Sequence, residues 1–417
     1  MQQVHYKELQ DNIHRLNADM VFKGKNVFLF GFCNATEEAF KMLCDVGVDI
    51  EAILDNNRNK QGQFYKDVPI VSPEEVLNIG GNSIVCIAAR AYTLMKEQLI
   101  SIGYIGDVIK LVDYDPYSEP SLEPEVVSQK KDRLKRGLGV LDDIKKHYPE
   151  KSILLCPYYS LGDVVNALSY YPYYARNCST DATTVVVIGD SAAEIAYMYG
   201  YDDVETFSWK VMTELVQAVL WTKDTCCYIA HNDKPYTVDL GKALYIRKIN
   251  HEKIYCCGTY GLPITTNPVH PQRFRESDVI KGIKRGRSVI LSPYANSVVL
   301  LDEKLWEKIA DHYKVKGYDV YTNVVGNEKP IRGTAALAAM ISEMIPIVEK
   351  AGTFIGIRSG LCDVIKYADC DKYAFYPDTY YSDTKWKLID VFELDGWTNV
   401  EIVDGMNWEG LKERMQM

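Results

Sequence analysis

What most constrains this chain is an alternation. Short apolar runs, each ended by a turn residue, are followed again and again by amphipathic stretches of helical spacing. Runs of that kind become buried strands and the stretches between them become crossover helices, so the pattern predicts parallel sheets in an α/β fold. A length of 417 residues exceeds what one core usually supports, and two or three such domains are expected.

The first unit is read over residues 1–117. After an opening helix, Asn26–Phe30 is a strand ending at Gly31, Thr36–Val46 a helix, and Ile50–Leu54 a strand ending at Asp55. The polar turn DNNRNKQG leads to a strand at Val68–Ile70. A helix then opens at Ser72-Pro73-Glu74-Glu75, where proline at the first helical position with acids behind it marks a start. Strands at Ser83–Ala88 and Ile109–Val112 complete a Rossmann-like unit. Residues 118–150 are read as a proline- and acid-rich linker, SEPSLEPE, and a helix over Val127–Lys146. A second unit, 151–280, has strands at Ile153–Cys156, Thr184–Ile188 and Cys226–Ala230. The basic segment KGIKRGR opens a third, 281–417, with strands at Ser288–Leu291, Asp319–Thr322 and Thr353–Ile357. Its helices are expected at Glu303–Tyr313, Ala335–Lys350 and Trp408–Met417.

Composition removes several function classes. A formal net charge of −10 argues against nucleic-acid binding, which wants a basic field. No apolar stretch approaches a membrane span, although one local basic patch leaves peripheral contact with a membrane surface open. The polar, helical start MQQVHYKELQDNIHRLNADM is not read as a signal peptide. Eleven cysteines without a CxxC pair read as reduced core residues of a cytoplasmic protein, with the inner face of the membrane as its other expected location. Cys226-Cys227 and Cys256-Cys257, near His231 and His251, are vicinal pairs whose members point to opposite faces of a strand, so no metal site is expected. Neither GxSxG nor a Walker loop is present, and no cofactor is called for.

Two strand–turn–helix mouths carry the chemistry. In Tyr158–Asn166, YYSLGDVVN, Gly162 is read as a tight turn that places Asp163 at the edge of a sheet, where ligands of open sheets sit. The plainer reading of Asp163 is a helix N-cap. Tyr158 and Tyr159 flank it as acceptor contacts, since aromatic faces stack on sugar rings. Most of the other tyrosines, Tyr380-Tyr381 among the clustered ones, read as core or boundary residues. The second mouth is Phe354–Val364, FIGIRSGLCDV, and two such mouths facing each other would make a cleft.

The second and third units resemble the ADP-heptose lipopolysaccharide heptosyltransferases, a family of GT-B glycosyltransferases. SILLCPYYSLGDVVNALSYYPYYAR is similar to the family's opening, with LGD after the first strand, and SVILSPYANSVVLLDEKLWEKIADHYKVKGYDVYTNV to the start of its donor domain. FIGIRSGLCDVIKYADCDKYAFYP falls where the family has a donor loop, with Arg358 in place of its Asp and Asp363 in place of its His. The resemblance implies that Asp163 is the catalytic base and that Ser359, Gly360 and Leu361 hold the donor diphosphate on free N–H groups. It implies further that Arg358 neutralises the leaving group, with a structural ion pair as the alternative. Thr322 and Asn323 are weaker candidates for the nucleotide pocket. Glu328 and Thr334 are read equally as nucleoside contacts or as a turn and a cap. The N-terminal unit resembles the front domain of sugar O-acyltransferases and other polysaccharide-biosynthesis proteins. There Gly31 would let a ligand approach a helix N-terminus and Asp55 would sit where a Rossmann acid holds a ribose. Gly31 is the only glycine in GFCNAT, however, so a docking role stands beside nucleotide binding.

The expectation is an α/β protein with an N-terminal Rossmann-like domain and two more in a GT-B arrangement. Its reaction would move a sugar, with inversion and without an obligatory metal, from a nucleotide-sugar donor to a hydroxyl of a glycan, lipid-linked or protein acceptor. A homo-oligomer is compatible with the sequence. A polyol-phosphate transferase of teichoic-acid type ranks lower, because His231, His251 and His270 lie outside the two mouths. A non-catalytic sugar-nucleotide-binding or scaffold protein is the alternative of another class.

Overall fold

The structure is a computed structural model that describes residues 3–79, 82–113, 124–178, 182–231, 247–295, 298, 300–379, 386–403, 406 and 408–415. The linker SEPSLEPE lies mostly outside them, as does Tyr380-Tyr381. The chain divides into two compact units, Met1–Asp132 and Arg133–Met417.

In the first unit, α1 (Gln3–Ala18) precedes β1 (Asn26–Phe30), α2 (Asn34–Asp45) and β2 (Ile50–Leu54). A short β3 (Phe64–Tyr65) and β4 (Val68–Val71) follow, then β5 (Ser83–Ile87), α3 (Tyr92–Ser101) and β6 (Asp107–Lys110). The sheet order is β3-β4-β2-β1-β5-β6, parallel except for the β3–β4 pair. Neighbouring residues of a strand face opposite sides, and β1 feeds two cores in that way. Val27 and Leu29 pack with Leu9, Ile13 and Leu43, while Phe28 and Phe30 pack with Val76, Met95 and Leu99. The expected helix at Ser72-Pro73 is a 3-10 helix, Pro73–Ile79.

The second unit begins in α4 (Pro124–His147), whose Leu141 and Ile144 pack against Ile153 and Leu155 of β7 (Ser152–Leu155). Next come α5 (Leu161–Asn177), β8 (Thr183–Ile188), α6 (Asp190–Met198), β9 (Val204–Phe207), α7 (Trp209–Thr222) and β10 (Cys227–Ile229). These strands form a parallel sheet of order β10-β7-β8-β9. A three-residue α8 (His251–Lys253) runs into a π-helical turn, Ile254–Thr259. A second parallel sheet follows, built from β11 (Ser288–Ser292), β12 (Asp319–Asn323), β13 (Ala335–Leu337), β14 (Gly352–Ile357), β15 (Asp371–Pro377) and β16 (Thr398–Ile402). Its order is β13-β12-β11-β14-β15-β16. The helices of this half are α9 (Glu303–Val315), α10 (Met344–Ala351), α11 (Gly360–Val364), α12 (Leu388–Phe392) and α13 (Trp408–Met415).

One expectation fails here. Ala335–Leu337 is an edge strand paired with Tyr321–Asn323, and the helix starts only at Met344. Three residues of alanine-rich chain follow the sheet edge because pairing there outweighs helix propensity.

Strand order fixes where a site can be. Each sheet is wound outward in one direction and then in the other from a central strand, and the crevice of such a sheet lies at the carboxyl end of that switch point. The switch points are β1/β5, β7/β10 and β11/β14. They place Gly31, then Gly162 with Asp163, then Arg358–Gly360, each at a crevice. In the second unit the two crevices meet. One hydrophobic cluster holds Leu154, Val164 and Leu168 of the first sheet's half together with Phe354, Leu361 and Val364 of the second's. Glu194 on α6 reinforces the junction by accepting from the Ser342 amide and hydroxyl at 3.0 and 3.1 Å. The expected boundary near residue 280 therefore separates two Rossmann-like sheets, a GT-B type of arrangement, within one compact unit.

Candidate active site

Ser160 is the N-cap of α5, so Gly162 and Asp163 are its second and third residues. Gly162 is not the turn glycine expected from the sequence, nor is Asp163 the cap. The glycine serves a close approach between helices. A Cβ at Gly162 would lie 2.3 Å from Asp363 Oδ2, and one at Gly360 would lie 2.9 Å from the Gly162 amide nitrogen. The first turns of α5 and α11 thus touch backbone to backbone.

Asp163 projects from the first turn of α5, where the helix dipole favours a negative charge. Its Oδ1 accepts from His251 Nε2 at 3.0 Å and from the Tyr255 hydroxyl at 2.7 Å. Burial alone would raise the carboxyl's pKa. The hydrogen bond and charge of His251, with hydrogen bonds from Tyr255 and Ser160, outweigh burial and hold it below the usual carboxylate range. An ionised carboxylate can only accept, so the His251 proton is on Nε2. Tyr255 is pushed well above the ordinary phenol range by burial and the Asp163 charge, and stays protonated as a donor. Tyr158 stacks on His231, with centroids 5.1 Å apart, and meets Tyr255 edge-on at 6.0 Å. Tyr159 points outward, 46% exposed.

The second mouth is more closed than the sequence implies. Arg358 is buried and ion-paired: Nη1 and Nη2 pair with the two oxygens of Asp363 at 2.8 and 2.9 Å. Nη1 and Nε donate also to the carbonyls of Ser359 and Phe392. The alternative of a structural ion pair is therefore what the geometry contains, and Asp363 serves as its counter-ion. Gly360 lies against α5, and Leu361 is buried in the shared core. Ser359 and Gly360 stay partly exposed beside the first turn of α5. Thr322 is fully buried and braced, its Oγ1 bonded to Thr334 Oγ1 at 2.6 Å and accepting from the Ile331 amide, while Asn323 is buried beside it. Glu328 closes its own turn on the Val325 amide.

Residues the sequence did not bring together complete the site. Glu252 accepts from Tyr170 and pairs with Lys366. Burial would raise its carboxyl, but the Lys366 charge and hydrogen bond hold it low. A small recess of about 10 Å³, room for about one water, lies among Asn166, His251, Glu252, Arg358, Asp363 and Phe392. His251, expected to lie outside the mouths, is in the middle of the site. Its signal in the sequence is faint: NHEK, with Asn250 capping a three-residue helix through the Glu252 amide.

In the first unit the corresponding crevice is filled. Gly31 has φ +85°, and a Cβ there would lie 2.8 Å from the Met95 methyl. The Asp55 oxygens accept from the Phe32 and Asn57 amides, both at 2.7 Å, with Lys60 at 3.8 Å. Asn56 and Gln98 bridge the same edge with reciprocal amide hydrogen bonds. Among the described residues, no group of three or more His, Cys, Asp or Glu side chains gathers as metal ligands, and no helix is long and apolar enough to cross a membrane.

Residues 23–109 match the family model C2185-like, N-terminal. No curated protein matches the sequence. Among solved structures, the fold resembles E. coli ADP-heptose lipopolysaccharide heptosyltransferase II, with a TM-score of 0.45 at 11% identity over 64% of this chain and 97% of that one. It resembles also a family 9 glycosyl transferase of Veillonella parvula, with a TM-score of 0.42 at 12% identity over 64% and 89% of the two chains. The iron-containing dodecameric glycosyltransferase TibC of enterotoxigenic E. coli matches with a TM-score of 0.37 at 14% identity, over 54% of this chain and only 58% of TibC. At such identities and scores these likenesses assign neither a family nor an activity.

Proposed function

We propose that the second unit transfers a sugar from a nucleotide-sugar donor to a hydroxyl group, with Asp163 as the carboxylate that receives the proton. The observation that carries this reading is the state of Asp163. It is a carboxylate kept ionised in a largely buried crevice by His251 and Tyr255, at the switch point of one parallel sheet and against the mouth of a second. In the reaction the acceptor oxygen forms a bond to the anomeric carbon as its proton passes to the carboxylate. The bond from that carbon to the phosphate oxygen breaks, and the nucleoside diphosphate leaves with the electron pair. A single displacement of this kind inverts the anomeric centre. The acceptor is a glycan, a lipid-linked glycan or a protein.

The donor phosphates belong at Ser359 and Gly360 in this reading. The first turn of α5 packs beside these partly exposed residues, and closure of the two halves around the ligands would exclude water. The recess beside them, about 10 Å³, has room for about one water, so a donor or acceptor needs the two halves to open. The small recess and the Arg358–Asp363 ion pair favour a second reading, a non-catalytic scaffold protein. The presence of His251 beside Asp163 also revives the polyol-phosphate alternative. A panel of nucleotide sugars and nucleotide-linked polyols, read by thermal unfolding, separates the three. A donor at about 100 times its Kd raises stability by about 2.7 kcal/mol. A shift with nucleotide sugars is expected, a shift with the polyol compounds alone would redirect the substrate, and no shift with either would leave the scaffold reading.

A further inference from the structure

Residues 248–254 belong by chain order to the first half of the second unit, yet they hold on to both halves. Toward the first sheet, His251 bonds to Asp163 and Glu252 accepts from Tyr170, both on α5. Toward the second, Lys248 pairs with Asp390 at 2.9 Å, and Asn250 Nδ2 donates to the Glu393 carbonyl at 3.0 Å. Glu252 pairs also with Lys366. Ile254 packs with Val391 and Phe392, and the His251 ring lies 4.9 Å from that of Phe392. Lys248 itself is held at φ +57°, a left-handed conformation that a lysine keeps only where its surroundings fix it.

The grip on the second half has two strengths. Glu252 and Lys366 are mostly buried, so salt screens their attraction little and the loss of either strands a buried charge. Lys248 and Asp390 are more exposed and more readily screened. A helix of three residues cannot hold itself together, so α8 takes its order from what lies on either side. His251 stands between Asn250 and Glu252, the two residues that are tied across. With the second half withdrawn, its neighbours lose their partners and its ring loses the wall of Phe392. The other polar tie between the halves, Glu194 to Ser342, involves neither Asp163 nor its partners.

We propose that residues 248–254 are a clasp whose closing joins the two halves and fixes His251 on Asp163 in one event. The carboxylate then has its histidine partner only while the crevice is shut. The assignment rests on the sugar-transfer reading and deepens it, because the base would be completed only around bound ligands, with water shut out.

The test uses the full chain as wild type, Lys366→Met, Lys248→Met and Glu194→Gln, the last weakening the junction away from the clasp. Hydrogen exchange read by mass spectrometry follows the first turns of α5 and the π-helical turn. Carbon-13 NMR follows the Asp163 carboxyl, assigned by its loss in Asp163→Asn. Lys366→Met is expected to raise exchange in both segments by about tenfold or more, and Lys248→Met to raise it less in the same places. In both lysine variants the Asp163 carboxyl should titrate at higher pH than in the wild type, because burial then meets less opposition. Glu194→Gln should leave that titration unchanged. Exchange that rises only beside the substituted lysine, or evenly along the whole chain, overturns the clasp. So does an Asp163 titration that stays put in the lysine variants or moves equally in Glu194→Gln. If Lys366→Met does not fold, Lys248→Met decides by the same readings. Thermal shifts with nucleotide sugars on the same samples keep the two ideas apart. Donor binding with an unmoved Asp163 titration removes the clasp alone, and a moved titration without donor binding removes the transfer reading while leaving the clasp.

Discussion

Asp55 and Asp163 begin alike and end differently. Each follows a buried strand next to a sheet's switch point, and each is the acid that the sequence singles out in its unit. Asp55 spends its oxygens on the amides of Phe32 and Asn57, with Met95 and the Asn56–Gln98 bridge filling the crevice. It ties two turns together. Asp163 instead meets side chains that ionise or donate, His251 and Tyr255, supplied from about 90 residues away. An acid at a strand end is thus a brace when the backbone claims it. It becomes a candidate for chemistry when titratable side chains claim it.

That contrast can be broken by substitution. The largest effect is expected from Arg358→Met, which leaves Asp363 buried without its counter-ion and should cost about 3–5 kcal/mol in denaturant unfolding. Arg358→Met with Asp363→Leu should recover most of the loss. If the single change is tolerated, the second mouth is more open than described. Gly162→Ala comes next. Its methyl meets an Asp363 oxygen that Arg358 holds in place, so a loss of about 1–3 kcal/mol is expected, and an unchanged midpoint would mean that α5 and α11 part easily.

Asp55→Ala orphans two amides of the first unit and should cost about 1–2 kcal/mol, with no effect on ligand binding by the second unit. A loss of nucleotide-sugar binding in that variant would make the first unit part of the site. The smallest effect is in the pH dependence. Asp163 and Glu252 both have carboxyls held below their ordinary range. Their contribution to stability is complete above the ordinary carboxylate pKa, near about 4, and is lost as the pH falls through the depressed values. Unfolding midpoints measured between neutral and acid pH should fall more steeply in the wild type than in Asp163→Asn. Parallel curves would show that the carboxylate is not held as described.

The fold was legible because burial writes itself into short apolar runs. Ser83–Ile87 and Ser288–Ser292 are buried at every position, and the strands read from such runs fall within one or two residues of their observed places. Ala335–Leu337 misled because an alanine-rich edge strand has no β signature of its own. Gly162 was singled out for the wrong reason. A glycine demanded by a neighbouring helix looks, in sequence, like one demanded by a turn. Asp163 was visible at a strand–helix junction, but its partners were not. His251 and Tyr255 sit on a three-residue helix and a π-helical turn, where no periodicity announces which face they present.

The central claim is that the partners of Asp163, and not its place after a strand, make it the reactive carboxylate. The most direct test measures sugar transfer from a donor that stabilises the protein, comparing the wild type with Asp163→Asn and Asp55→Asn. The account predicts that Asp163→Asn keeps donor affinity and loses about 10²-fold or more in rate, the lower range for a missing general base, while Asp55→Asn stays near the wild type. Transfer undiminished in Asp163→Asn, or lost equally in both, would contradict it.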